Sequence, residues 1–121
     1  MFNIRFNTFE LNCLMQASGK RNSLIQELAM KIIDLDICKQ IYNRKDHQVK
    51  DYMFCLGGDG RESGCCHGDS GGPAVYDNIL IGVISFGKDC ANQRFPTVVS
   101  RVDLEREWIE DIMDKYTYNF V

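Results

Sequence analysis

The sequence predicts an all-β domain that ends in an α-helix. Three stretches carry that reading. The first is Gly68-Asp69-Ser70-Gly71-Gly72-Pro73, where glycines and a proline force a sharp turn: glycine reaches dihedrals closed to other residues, and Pro73 fixes φ where the turn ends. The second follows directly. Ala74-Val75-Tyr76 and Ile79-Leu80-Ile81-Gly82-Val83-Ile84-Ser85-Phe86-Gly87 are aliphatic, β-branched and aromatic, separated by Asp77-Asn78. Two such runs around a two-residue turn read as a β-hairpin. The third is Val102 to Met113, where Leu104, Trp108, Ile109 and Ile112 recur at three- and four-residue steps. That spacing predicts an amphipathic helix with its apolar face in the core. Asp103, near the helix start, suits the helix dipole.

A serine on such a turn has an exposed hydroxyl with backbone N–H groups gathered around it. Acyl transfer needs both: a nucleophile, and donors for the oxyanion that develops. A phosphate-binding loop fits less well, because no Gly-Lys-Ser/Thr follows and a strand succeeds the turn. Gly68 to Pro73 resembles the nucleophile motif of the trypsin/chymotrypsin-like serine endopeptidases. Met53-Phe54-Cys55-Leu56-Gly57 resembles the run that precedes it in the family, and Ser85-Phe86-Gly87 the one that follows, with Phe86 where Trp is usual. Cys90-Ala91, Pro96, Arg101-Val102 and Trp108-Ile109 extend the likeness, which covers roughly residues 13 to 113. It implies one antiparallel, six-stranded Greek-key barrel with a C-terminal helix, the second half of a double-barrel fold.

Taken in order, residues 1–12 are a linker or strand approach. Cys13-Leu14-Met15-Gln16-Ala17-Ser18-Gly19 resembles the family's first strand of this barrel, with Ala17-Ser18-Gly19 in place of a usual Gly-Trp-Gly. Lys20-Arg21-Asn22-Ser23 reads as a polar loop tip. Leu24 to Asp34 is ambiguous between helix and strand by pattern alone; the resemblance favours strand. Leu35 to Tyr42 is a short helix, Asn43 to Lys50 a charged surface loop, and Gly57-Gly58-Asp59-Gly60 a turn. The domain reading is one partial peptidase domain over 1–121, with the barrel over 13–101 and the helix over 102–113.

The chain has 121 residues, 45% of them hydrophobic, and a net charge of −3. One modest folded domain fits that length and composition. Scattered basic residues give no footprint for nucleic acid, and no apolar run is long enough to span a bilayer. Six cysteines in so short a chain point to an oxidising compartment. The family resemblance likewise implies secretion. Met1-Phe2-Asn3-Ile4-Arg5-Phe6 lacks the apolar core of a secretory signal, so the natural N-terminus is expected to lie upstream.

By resemblance, Cys38 pairs with Cys55, and Cys66 with Cys90. Cys13 resembles a family cysteine whose partner position here is Tyr76, so it is expected to be unpaired. Cys65 is an extra thiol beside Cys66; either neighbour could reach Cys90, and spacing to Ser70 favours Cys66. A metal site of Cys65, Cys66, His67 and Cys90 is disfavoured, because adjacent ligands suit a tetrahedral ion poorly and no CxxC pair exists. No cofactor is expected.

The resemblance makes Ser70 the nucleophile and the backbone N–H groups of Gly68 and Ser70 the oxyanion donors. A serine hydroxyl needs a histidine to take its proton and a carboxylate to orient that histidine. In the family both lie in the first barrel, upstream of this chain's match. His47 reads as a solvated loop residue. His67, by family comparison, is on the cleft rim and close to Ser70 in sequence, which is poor geometry for its base. Asp69 corresponds to the carboxylate that pairs with a freed N-terminal ammonium and orders the oxyanion loop. Gly64 falls at the base of the primary pocket, where trypsin-like members carry Asp; its lack of charge argues against Lys or Arg selectivity. Gly87 leaves the pocket wall open and Thr97 narrows it, so a small or medium apolar side chain is expected. Ser85, Phe86 and Gly87 would offer backbone groups to an extended polypeptide substrate or inhibitor. The expected function is serine endopeptidase chemistry at Ser70, in partnership with an N-terminal barrel supplied in cis or in trans. The alternative is an inactive, protease-like binding module.

Overall fold

A computed structural model describes residues 9–15, 21–43, 47–57, 70–87 and 95–117, with the backbone alone over 9–15 and 21–29. Six strands form: β1 Phe9–Met15, β2 Arg21–Ile33, β3 Met53–Gly57, β4 Pro73–Tyr76, β5 Ile79–Phe86 and β6 Thr97–Arg101. Helix α1 is Leu35–Ile41; α2, Arg106–Tyr116, follows a 3-10 turn over Asp103–Glu105. The strands close into an antiparallel barrel in the order β1-β2-β3-β6-β5-β4. Pairing of β3 with β6 and of β1 with β4 joins two three-stranded meanders. Closure leaves the sheet no open edge.

The period-2 alternation of strands builds two cores. On β3, Cys55 and Leu56 belong to different clusters, and so do Val98 and Val99 on β6. Leu56 and Val99 join Met30, Ala74 and Ile84, so five strands fill the barrel. Cys55 and Val98 face outward, where α1 covers them with Cys38 and Tyr42, and Val49 packs alongside. The start of α1 is fixed by Asp34, whose carboxylate accepts from the backbone N–H groups of Asp36 (2.9 Å) and Ile37 (3.1 Å), satisfying donors a helix leaves open. The Cys38–Cys55 disulfide ties α1 to β3 across a separation of 17 residues. On chain-entropy grounds a loop of that size is worth about 3 kcal/mol. A surface ion pair of Lys39 with Asp51 lies nearby and holds the Asp51 carboxyl below its ordinary range.

The expected all-β barrel, the Asp77-Asn78 turn and α1 are present. Asp77 and Asn78 take φ of 50° and 60°, the left-handed pair that a tight hairpin requires and that Asx residues tolerate. Several boundaries differ. β1 begins at Phe9, inside the stretch read as linker or strand approach. β2 begins at Arg21, inside the expected loop tip, because Arg21 pairs with Met15 across the hairpin; ladder pairing overrides the polar character of Arg21-Asn22-Ser23. In the charged loop, Val49 is buried.

The largest correction concerns the C-terminal helix. It runs to Tyr116, and its apolar face is not in a core: α2 buries no residue, and Leu104 and Trp108 remain 52% and 63% exposed. The periodicity reports an amphipathic helix correctly but cannot name the surface that covers it. Nothing among the described residues does so. An Arg101–Asp103 fork anchors the connection into α2, with N···O distances of 3.0 and 2.5 Å. The Arg101 guanidinium holds the Asp103 carboxyl below its ordinary range. That pairing therefore supports the fold above the ordinary carboxylate pKa and is lost as pH falls through the depressed value.

Close packing inside the barrel depends on Gly82. A Cβ there would lie 2.3 Å from Val99 Cγ1 and 2.8 Å from Phe54 Cε1, so one wall must move. Gly82→Ala is expected to destabilise the chain by about 1–3 kcal/mol in urea unfolding, the range for overpacking. An unchanged midpoint would show that the wall yields freely.

Candidate active site

The Ser70 turn is hung on β5 by two backbone hydrogen bonds. Gly71 N–H donates to the Ile84 carbonyl (2.8 Å), and Ile84 N–H donates to the Gly72 carbonyl (2.9 Å). Gly71 has φ +86°, a conformation that glycine adopts without the Cβ penalty. Pro73 then starts β4, opposite Val83. Ser70 and Gly71 stay exposed. The sequence features that suggest a sharp turn thus place Ser70 on the barrel surface, with the chain pinned immediately after it.

The partner of the Ser70 hydroxyl comes from an irregularity in β5. Along the β5–β6 ladder, Ile84 pairs with Val99 and Phe86 with Val98. Ser85 falls at the register shift between them and has no ladder partner there. Such bulges re-aim backbone and side chains next to functional sites. Here the Ser85 carbonyl accepts from Ser70 Oγ at 3.2 Å. A neutral carbonyl can accept that hydrogen bond but cannot take the proton, so this bond orients the hydroxyl without activating it.

Beyond Ser85 the site is walled by aromatic rings. Phe86 meets Tyr42 edge-on, with centroids 5.5 Å apart, and Tyr42 meets Phe95 at 5.6 Å. The buried Tyr42 hydroxyl donates to the Pro96 carbonyl at 2.5 Å. One side chain at the end of α1 therefore fixes both Phe86 and the Phe95-Pro96 segment. The exposed His47 ring lies 5.6 Å from that of Phe86. Gly87 is exposed and open, with no atom closer than 4.0 Å to a Cβ placed there. Thr97 is 6% exposed and pairs with Leu56.

The structure thus brings together Ser70, Ser85, Phe86, Gly87 and, behind them, Thr97. Gly64, His67, Gly68 and Asp69 lie outside the described residues, as do Cys65, Cys66, Cys90 and the Cys13 side chain. Among the described residues no three His, Cys, Asp or Glu side chains cluster as metal ligands. Tyr42 was not distinguishable in the sequence from any other aromatic at a helix end. Its role depends on Phe86 and Pro96, both more than forty positions away in the chain.

Comparison with known proteins places this geometry. A family model described as Trypsin matches residues 8–109, and the chain belongs to the trypsin-like serine protease family. A trypsin of Phaedon cochleariae is 30% identical over 96 residues, covering 77% of this chain and 36% of that protein. Human kallikrein-4 is 33% identical over 95 residues, covering 78% and 36%. Trypsin 5G1 of Aedes aegypti reaches 44% over 64 residues, covering 53% and 24%. Mouse neuropsin, a serine protease expressed in the limbic system, shares the fold with a TM-score of 0.75 at 24% identity, over 90% of this chain and 49% of that one. The chain spans about a third of the length of the curated relatives it matches.

Tyr42→Phe keeps the ring and removes the hydroxyl that donates to Pro96. It is expected to cost about 1–2 kcal/mol, a buried hydrogen bond plus an orphaned acceptor, measured by thermal or urea unfolding. Full wild-type stability would show that the Pro96 carbonyl finds another donor.

Proposed function

We propose that this chain is the nucleophile-bearing barrel of a serine endopeptidase, with Ser70 as the attacking residue. The observation that supports this best is the pinned turn: Ser70 exposed, followed by Gly71 at positive φ and two backbone bonds to β5. Ser70 Oγ would attack the scissile carbonyl carbon while a base takes its proton. The oxyanion would sit on the N–H groups of Gly68 and Ser70, and Asp69 would hold their loop. The amine would then leave with that proton, and water would release the acyl group from Ser70 Oγ.

The base and its orienting carboxylate would come from a second barrel, in cis or in trans. The exposed apolar face of α2 supports such a partner, since contiguous exposed apolar surface marks an interaction site. The substrate would be an extended polypeptide with a small or medium apolar side chain in the pocket lined by Gly64, Gly87 and Thr97, next to Ser85 and Phe86 and with His67 on the rim. Secretion is in keeping with the disulfide and the family. Among the described residues no helix is long and apolar enough to cross a membrane. The alternative, an inactive binding module, draws support from the Ser70 hydroxyl, which donates to the Ser85 carbonyl.

The test is covalent labelling with a fluorophosphonate probe. The chain alone is expected to remain unlabelled at Ser70. Fused behind the first barrel of a trypsin relative, it is expected to label at Ser70, with labelling abolished by Ser70→Ala. A folded fusion that fails to label would favour the binding module. Labelling of the chain alone would remove the need for a second barrel.

A further inference from the structure

The end of the barrel that carries the Asp77-Asn78 turn presents an apolar surface built from two elements. β5 begins at Ile79, but its pairing with β6 begins at Gly82, and beyond that pair Val102 N–H donates to the Ile81 carbonyl at 3.0 Å. Ile79 and Leu80 therefore project past the end of β6, and both are exposed. Val102 leads directly into the 3-10 turn and α2, so the exposed Leu104 and Trp108 leave the barrel at the same end. The chain enters the barrel there too. Glu10 pairs with Val75 and Leu11 with Ala74, antiparallel, which sets Phe9 at the Tyr76 end of β4, beside the turn into Ile79.

We infer that this surface is the docking site of the chain's own residues 1–8. The sequence there, Met1-Phe2-Asn3-Ile4-Arg5-Phe6-Asn7-Thr8, alternates: on an extended segment Phe2, Ile4 and Phe6 share one face, and Asn3, Arg5 and Asn7 the other. The uncovered surface is within reach. Residues 1–8 span up to about 26 Å when extended, whereas crossing β4 and β5 from Phe9 takes about 10 Å. Charge also matches. Arg5 is the segment's only charged side chain, and the start of α2 carries Glu105 and Glu107 among its apolar positions. Tethering favours this occupant over a second copy, because an attached segment meets its site at an effective concentration of about millimolar. The segment crosses the end of the β4–β5 hairpin, lays Phe2, Ile4 and Phe6 on Ile79, Leu80, Leu104 and Trp108, and brings Arg5 to the two carboxylates. It thereby fixes the start of α2 to the barrel from within the chain. Ile112, Met113 and Tyr116, exposed farther along α2, stay available to a second barrel, so the inference does not depend on the reading of Ser70.

Trp108 is the chain's single tryptophan, so its fluorescence reads the site directly in the folded full chain. Wild-type emission is expected to be blue-shifted and to resist acrylamide quenching, with neither changing on dilution. Ile4→Asp and Phe6→Asp are expected to move the emission to longer wavelength and to lose the protection from acrylamide. Arg5→Glu is expected to move both readouts the same way by less, since an exposed ion pair contributes little. Far-UV circular dichroism reports whether each variant keeps the barrel. Should a variant lose it, wild-type NOEs decide: contacts from the Ile4 or Phe6 side chain to the Trp108 indole support docking, and their absence overturns it. Solvent-exposed emission in the wild type, or protection unchanged in folded Ile4→Asp and Phe6→Asp, overturns the inference. Protection that is lost on dilution overturns it as well, because a second copy then covers α2. None of these outcomes bears on the labelling of Ser70.

Discussion

The pairing of Gly71 and Gly72 with Ile84 is the constraint on which the site depends. It converts a flexible glycine-rich stretch into a fixed extension of the β4–β5 hairpin. Ser70 is then held within hydrogen-bond reach of Ser85 on a rigid element. Gly71 has the backbone freedom this needs, and Ile84 sits in the barrel core. The stability of the core and the placement of Ser70 therefore share a residue. The Ser85 bulge lies immediately after it.

A second link runs through β3 and β6. Cys55 and Val98 face the outer cluster while Leu56 and Val99 face the barrel. The outer cluster carries α1, the disulfide and Tyr42, and Tyr42 in turn holds Phe86 and the Pro96 carbonyl. One side of the aromatic wall thus depends on a helix that packs on the far face of the same strands. The other large apolar surface, on α2, has no such partner among the described residues.

Much of this was legible in the sequence, and the exceptions have physical causes. Glycine, proline and Asx residues mark turns through their own dihedral preferences, so the Ser70 turn and the Asp77-Asn78 hairpin could be read locally. Leu35–Ile41 carries its own cap at Asp34. The Leu24–Asp34 stretch could not be assigned from periodicity, since its strand state is decided by pairing with β1 and β3. The start of β2 at Arg21 leaves no local pattern for the same reason. The apolar stripe of α2 is legible as a stripe but its exposure is not, because periodicity gives a face and not its partner. The Ser85 bulge and the Tyr42–Pro96 bond are products of register and long-range packing, and neither leaves a local pattern.

The Ser70 turn belongs to the cooperative unit of this barrel, through the bonds of Gly71 and Gly72 to Ile84. Native-state hydrogen exchange tests it most directly. The amides of Gly71 and Ile84 are expected to exchange with the free energy and denaturant dependence of Val98 and Val99, through global unfolding. Exchange of Gly71 and Ile84 as fast as that of the exposed Asn78 amide, while Val98 and Val99 stay protected, would contradict the claim. It would show that the turn is ordered only when something outside this chain holds it.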